Sequence, residues 1–201
     1  MIQARASPAR ANEKNGVCPH YHSPMPRVPL AEFEPALKVR LEKLWGTPPN
    51  LYRALANHPA LVAAWTEFSK MLRHDTRTPR ALRELVILRG GQLMRSEYEW
   101  AQHLPMARKA GVSEAQINAL SAWRTSGEFD QREKAALALA EEVTQGHVSD
   151  AVHAEALRQF DHHDYVELAA VAAFYAMVGR MLDAMGVPLD ADVADYQPKL
   201  K

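Results

Sequence analysis

Apolar residues recur from Leu30 onwards with the three- and four-residue spacing of amphipathic helices. No run alternates between apolar and polar residues for long enough to predict a strand. The predicted helices pass through 33–44, 61–72, 82–93 and 96–110, then comes a short helix from 113, and the last three pass through 130–145, 149–160 and 164–186. The pattern therefore predicts an all-α fold, a single-domain helical bundle of about eight helices.

Several helix ends carry recognisable signals. "SEAQ" from Ser113 and "DQRE" from Asp130 match the capping box, in which a side chain at the helix start accepts from the third residue and that residue reaches back. Gly111 suits the position just past a helix end. The last helix, 164–186, is apolar on nearly every side, which predicts either a central helix or one in a subunit interface.

The two ends of the chain lack this periodicity. Residues 1–28 are rich in Pro, Ser, Asn and Arg, and we expect a disordered tail there, followed by a helical domain over 29–190 and a C-terminal tail over 191–201. Cys18, His20 and His22 stand close together in the first tail. A structural zinc site needs four ligands, so we expect no metal there.

Charge and composition exclude several classes of partner. Lys+Arg and Asp+Glu both number 24, so no basic excess points to nucleic acid. The most apolar run, Leu168 to Gly179, is short for a bilayer and has charged neighbours, so we expect no membrane span. Cys18 is the one cysteine and cannot form an internal disulfide. These features favour a cytoplasmic protein.

The stretch "RSEYEWAQHLPMARKAG" carries the most chemistry. Ser96, Glu99 and His103 are spaced i, i+3 and i+7, which places them on one helix face. "SEYE" is also a capping box, which would explain Ser96 and leaves Glu99 open to either role. His103 is one turn beyond Glu99, which could hold its tautomer. Pro105 removes a backbone donor and should kink or loosen this turn.

One further carboxylate stands upstream, in "RALRELVILRGG". Glu84 lies among Leu82, Leu85 and Val86, and a carboxylate in such surroundings must be paired or have a raised pKa. The alternative is an exposed Glu84 that pairs with Arg80 or Arg83, and the helix alone favours this alternative.

Taken together, Glu84, twelve further positions and then Ser96-x-x-Glu99-x-x-x-His103 resemble the signature of the carboxymuconolactone decarboxylase family, which includes the AhpD-type alkylhydroperoxidases. The resemblance covers roughly Leu30 to Asp190. Peroxidase members carry Cys-x-x-Cys-x-x-x-His at this spacing, whereas Ser96 and Glu99 occupy the two cysteine positions here, as in a cysteine-free branch. The resemblance implies an AhpD-like fold and a homo-oligomer, a trimer or hexamer.

The resemblance also implies decarboxylation of a small lactone or carboxylic acid, or a related proton transfer, in aromatic-compound catabolism. His103, Glu84 and Glu99 are the expected catalytic residues, because a dienolate left by CO₂ loss must be reprotonated by an acid. The substrate-binding candidates are Ser96, Tyr98, Trp100 and Arg89, with Arg83 and Arg95 as other cations near the site. We expect a small-molecule substrate and neither cofactor nor metal.

Two alternatives remain open. An AhpD-like peroxidase would need a thiolate nucleophile and a resolving thiol, which the signature lacks. A non-catalytic protein could instead bind a small ligand among aromatic side chains, for which Trp45, Trp65, Trp100, Trp123 and Tyr98 are candidates. "DHHD", residues 161–164, looks like a metal cluster, but successive helical residues diverge by about 100°, and aspartates at a helix start explain it better.

Overall fold

A computed structural model describes residues 26–193, and within that range the protein is entirely helical. The helices, in chain order, are α1 (Pro35–Trp45), α2 (Asn50–Leu55), α3 (Pro59–His74), α4 (Arg80–Met94), α5 (Glu97–Ala110), α6 (Glu114–Ala119), α7 (Gln131–Gln145), α8 (Asp150–Gln159) and α9 (His162–Met185), with a 3₁₀ turn at Leu120–Ala122. The prediction of an all-α fold is confirmed, and all eight predicted helices are present.

The helix that the periodicity did not predict is α2. It has six residues, too few for two full turns of an apolar stripe, and it follows Pro49. Its buried side chains nevertheless include Leu51 and Tyr52, which join the main hydrophobic cluster. Tertiary packing therefore holds a helix that its local sequence barely signals.

Side-chain caps fix the starts of most of the longer helices. Ser113 and Asp130 form complete capping boxes with Gln116 and Glu133, as predicted. Asp161 caps α9, which therefore begins earlier than the predicted start at Asp164. Such caps satisfy backbone N–H groups that have no partner within the helix.

The most enclosed helix is α4, not α9. It packs against α5, α7 and α9, and every residue from Leu82 to Leu88 is buried. Two hydrophobic clusters meet on it, one through Val86 and Ile87 and the other through Leu85 and Leu88. Two charged residues of this central helix, Arg83 and Glu84, therefore lie inside the protein.

Helix α9 packs in the first of these clusters but keeps one side open. Val166 and Met177 remain 64% and 40% exposed. Helix α9 has 24 residues, and a window of 18 of them has a mean hydropathy of 1.4, so by length and composition it could cross a membrane, contrary to the expectation from its apolar run. A core helix passes the same test of length and composition. Its contacts with α4 and α7 place it in the core here.

The predictions for the chain ends fall mainly outside this range. Residues 1–25 and 194–201, with Cys18, His20 and His22 among them, lie outside the described residues. Near the end of the described part, Asp190 accepts hydrogen bonds from Tyr98, Gln102 and the backbone of Asn50. The segment that follows α9 is thereby tied to α2 and α5.

Candidate active site

His103 lies on α5 with its side chain 4% exposed, between two carboxylates. Its Nδ1 is 2.8 Å from Oε2 of Glu84, on the neighbouring helix α4. Its Nε2 is 3.7 Å from Oε2 of Glu99, one turn earlier on α5. The structure therefore brings together the three predicted catalytic residues, which are separated by up to 19 positions in sequence.

The Glu99 side chain does not take part in a capping box. Ser96 caps α5 by accepting from the backbone N–H of Glu99 at 3.3 Å, but its own N–H donates to the carbonyl of Gly91 and not to the Glu99 carboxylate. Oε2 of Glu99 is buried and has no hydrogen-bond partner among the described residues. Burial raises the pKa of Glu99 to about 7, although His103 and Arg73 oppose the shift.

Glu84 is buried, so the exposed position that its helix alone favoured is wrong. Its side chain is fully covered because α4 is enclosed by its neighbours. It forms the ion pair with Arg80 that was considered from the sequence, and it also bonds to His103. Burial opposes ionisation, but His103 and Arg80 outweigh it and hold the pKa of Glu84 below its usual value.

The two carboxylates therefore differ in protonation near neutral pH. Glu84 is ionised and can accept Nδ1–H of His103, which leaves Nε2 available on the side of Glu99. Glu99 is near half protonation at pH 7. Carboxylates whose environments move their pKa values apart are typical of acid and base assignments in enzymes.

Two residues that the sequence did not single out complete the surroundings. Tyr175 on α9 packs edge-on against the His103 ring, with centroids 4.7 Å apart. Its hydroxyl accepts from Nε of Arg73 on α3 at 3.4 Å. The Arg73 guanidinium lies over the Trp45 ring, 4.2 Å from its centroid. No ion pair to a described carboxylate is found for Arg73.

A small inner chamber adjoins His103 and Glu99. Its volume is about 30 Å³, enough for a water or two. The residues that line it are Trp45, Pro49, Leu51, Tyr52, Trp65, Arg73, Tyr98, Glu99, Gln102, His103, Met106, Phe174, Tyr175 and Val178. The lining is mainly aromatic and apolar, and His103, Glu99, Gln102 and Arg73 supply polar groups.

A larger outer cavity of about 570 Å³ lies beside the chamber. The two share Trp45, Tyr52, Arg73 and Met106, which form the partition between them. The outer cavity is further lined by Leu44, Thr66, Ser69, Lys70, His74, Arg80, Arg83, Lys109 and Ala110. No carboxylate is found among the described residues of this lining, which is therefore strongly basic.

The predicted substrate-binding residues divide in two. Tyr98 lines the inner chamber, with its hydroxyl bonded to Asp190 at 2.6 Å. Ser96, Trp100 and Arg89 line neither cavity. Ser96 serves as the cap, Trp100 packs in the second hydrophobic cluster, and Arg89 is held by Glu141 at 2.7 Å.

The other proposed lining residues divide similarly. Trp45 and Trp65 face the chamber, whereas Trp123 donates to Glu141 at 2.8 Å in another part of the fold. Arg83 lines the outer cavity. Arg95 is exposed and ends α4 in the left-handed region, with φ 53°, so that α5 starts almost at once.

Pro105 does not interrupt α5. The helix continues from Glu97 to Ala110 and ends at Gly111 in the left-handed conformation, as the glycine predicts. Met106 and Lys109, which follow Pro105, therefore stay on the helix that carries His103 and reach the outer cavity from it.

The "DHHD" segment gathers three groups that are able to bind a cation. Ligand atoms of Asp161, His163 and Asp164 lie within 4.8 Å of one another. Arg77 already bonds to Asp161 and Asp164, the latter at 2.8 Å, and Asp161 caps α9 through the Asp164 N–H. A cap with a bound guanidinium explains this cluster without a metal.

The sequence did not single out the polar and basic residues of α3 that line the outer cavity, although their spacing is regular. Thr66, Ser69, Lys70 and Arg73 follow each other at i, i+3, i+4 and i+7 on α3, so they share one face. That face reads as a solvated surface from sequence. Only the packing of α3 against α2 and α9, which brings this face to a cavity that α4 and α5 also line, turns it into a cavity wall.

Comparisons with known proteins agree with this fold. Residues 59–142 match the carboxymuconolactone decarboxylase family. An uncharacterized protein of Bacillus subtilis (strain 168), YdfG, is 31% identical over 110 residues, which cover 53% of this chain and 75% of that protein.

Solved structures with this fold include enzymes and uncharacterized proteins. A cysteine-to-alanine variant of the debrominase Bmp8, bound to 2,3,4-tribromopyrrole, superposes with a TM-score of 0.73 at 19% identity and covers 86% of this chain and 97% of its own. A peroxidase-related protein from Ralstonia eutropha JMP134, described as an alkylhydroperoxidase AhpD core, gives 0.73 at 19% identity, with 84% and 94% covered. At such identities the likeness concerns the fold alone. Together with the family match and the Bacillus relative, it shows that the chain belongs to the carboxymuconolactone decarboxylase family and has an AhpD-like helical fold.

Proposed function

We propose that this protein is an enzyme that catalyses proton transfer, with decarboxylation as the first candidate, on a small lactone or carboxylic acid. The observation that carries the proposal is the buried line Glu84–His103–Glu99 beside a chamber, with the pKa of Glu84 lowered and that of Glu99 raised. Two carboxylates that contact one histidine and whose pKa values are shifted in opposite directions support a role in acid–base catalysis.

Each residue has a distinct role in this proposal. Glu84 positions the imidazole through Nδ1 and stabilises its charged form. His103 and Glu99, which line the chamber, form the acid–base pair that touches the substrate. In a decarboxylation the carbon–carbon bond to the carboxylate breaks and CO₂ leaves. The electron pair of that bond stays with the substrate and enters its conjugated carbonyl system. The pair then delivers a proton to the carbon, and water restores that proton.

Size decides where the substrate lies. The inner chamber, at about 30 Å³, is too small for an organic acid. The outer cavity of about 570 Å³ has room for one. We therefore place the body of the substrate in the outer cavity and its reacting end past Arg73 and Met106, whose flexible side chains belong to the partition. Arg73 supplies a cation for the carboxylate at this point.

A panel of candidate substrates tests the proposal. We expect turnover with lactone acids or β-keto acids, followed as CO₂ release or as exchange of carbon-bound hydrogen for deuterium. Hydroperoxides should not be reduced in a thiol-dependent manner, because Ser96 and Glu99 stand at the cysteine positions. Reduction of hydroperoxides, with no reaction of any acid, would contradict the proposal.

A second candidate function is binding of a small ligand without catalysis. The aromatic lining of the chamber, with Trp45, Trp65 and Tyr98, favours it. Substitution of His103 distinguishes the two functions. An enzyme should lose turnover in this variant while it still binds the ligand, whereas a binding protein has no turnover to lose. In either case we propose a small molecule as the partner, not nucleic acid or membrane, and a cytoplasmic location.

We also propose a homo-oligomer, a trimer or hexamer. Leu61, Phe68 and Met71 are exposed on one face of α3, and Phe68 packs edge-on against Phe174 of α9. Val166 and Met177 extend the exposed apolar surface on α9. Exposed apolar residues that cluster in this way are typical of interaction sites.

Light scattering at micromolar concentration is expected to give the mass of three or six chains. Phe68→Glu should shift the protein toward smaller species, because a charge would be buried in the interface. Val39→Glu is the matched control, since Val39 is 69% exposed on α1 and should tolerate the charge. A monomeric wild-type mass would contradict the prediction.

A further inference from the structure

The outer cavity carries far more positive charge than one carboxylate requires. Lys70 and Arg73 come from α3, Arg80 and Arg83 from α4, and Lys109 from α5, so cations converge from three helices. Among the ion pairs of the described residues, only the one between Arg80 and Glu84 involves these five side chains.

The cationic groups also affect one another. Burial and the neighbouring Arg80 lower the pKa of Arg83. Burial, Arg73 and Arg80 lower the pKa of His74, which lines the same cavity. Arg83 is 4% exposed; its terminal nitrogens donate to the backbone carbonyls of Thr78 and Arg73, which are uncharged, and its buried Nε has no hydrogen-bond partner among the described residues. A buried cation without a carboxylate is costly unless an anion compensates it.

We propose that the outer cavity is a binding site for a small anion with at least two negatively charged oxygen groups, and that this anion shares Arg80 with Glu84. The charges that line three walls exceed what a monoanion can neutralise. Phosphates and polycarboxylates have the shared chemistry, since guanidinium groups bind both through paired oxygens. The volume of about 570 Å³ accommodates either.

Arg80 makes this site more than a place of attachment. Its guanidinium pairs with Glu84, which in turn bonds to His103. An anion that draws Arg80 toward the cavity leaves the charge of Glu84 less neutralised beside His103. By linkage, removal of the Glu84 charge must then favour the anion. The anion would occupy the cavity in which the proposed function places the substrate, so its identification as the substrate class rests on that function. Its binding is measured without any reaction, so a failure of the site and a failure of the proposed function can be told apart.

Isothermal titration calorimetry with pyrophosphate, citrate and acetate tests the site. We expect pyrophosphate or citrate to bind at least about tenfold more tightly than acetate, and the preferred one identifies the phosphate or carboxylate class. Lys70→Gln with Lys109→Gln should weaken that binding about tenfold or more, the scale of a lost charged hydrogen bond. Lys134→Gln, on α7 and outside the cavity lining, is the matched control and should have little effect.

Glu84→Gln tests the shared arginine. Release of Arg80 from Glu84 should tighten binding of the preferred anion several-fold, while Glu128→Gln, which removes an exposed carboxylate, should not. Equal binding of all three anions, or equal losses in the control lysine variant, would overturn the site. Unchanged or weaker binding in a folded Glu84→Gln protein would overturn the sharing of Arg80.

Discussion

Replacement of His103 by glutamine is expected to lower turnover by about 10²–10⁴-fold, the usual contribution of a positioned acid–base group. Glutamine has similar reach, and its amide nitrogen can still donate to Glu84, which is 2.8 Å from the imidazole in the wild type. It cannot take up or release a proton near neutral pH. The loss should therefore fall on the chemical step, with little change in the melting temperature.

His153→Gln is the matched control for this variant. His153 is exposed on α8 and, like His103, packs edge-on against a tyrosine ring, that of Tyr165, at 5.1 Å. Turnover and melting temperature of both variants would be compared with those of the wild type. Retained turnover per folded molecule in His103→Gln, together with early melting, would make His103 structural and favour the binding function.

The sequence predicts the grouping of His103 with its two carboxylates because helical spacing and a cap fix part of it. Glu99 and His103 share a face by helical spacing alone, and the Ser96 cap fixes where that helix starts. Glu84 is identified only through the family signature, because the pattern of its own helix predicts an exposed side chain. Its burial follows from the enclosure of α4 by three other helices, which no local pattern contains.

The residues that line the cavities are harder to predict for the same reason. Arg89 is near the signature in sequence but points to Glu141, 52 positions away. Arg73 is distant in sequence, yet it reaches both cavities because α3 packs over the site. A cavity depends on how helices meet, so its lining is set by tertiary contacts. Spacing within one helix cannot show which of several arginines faces it.

Replacement of Glu99 by glutamine is expected to make the protein more stable at alkaline pH while it lowers turnover. The native state raises the pKa of Glu99 from an ordinary value of 4.5 to about 7, so ionisation of this buried group disfavours the folded state. Below pH 4.5 the carboxyl is protonated in both the folded and the unfolded state, and the wild type has no disadvantage. The disadvantage develops as pH rises from 4.5 to about 7, where the unfolded state is ionised and the folded state is still protonated, and it levels off above 7.

Urea unfolding across this pH range measures the effect. The gain in unfolding free energy for Glu99→Gln should be under ~1 kcal/mol near pH 5 and reach about 3 kcal/mol at pH 8, from ~1.4 kcal/mol per unit of pKa shift. The exposed Glu128→Gln control should show no such pH-dependent gain. A gain in stability with a loss of turnover would identify Glu99 as a proton carrier held at a cost to the fold. Equal stability of wild type and variant at pH 8 would show instead that Glu99 is not strained by burial, and its part in the acid–base pair would have to be withdrawn.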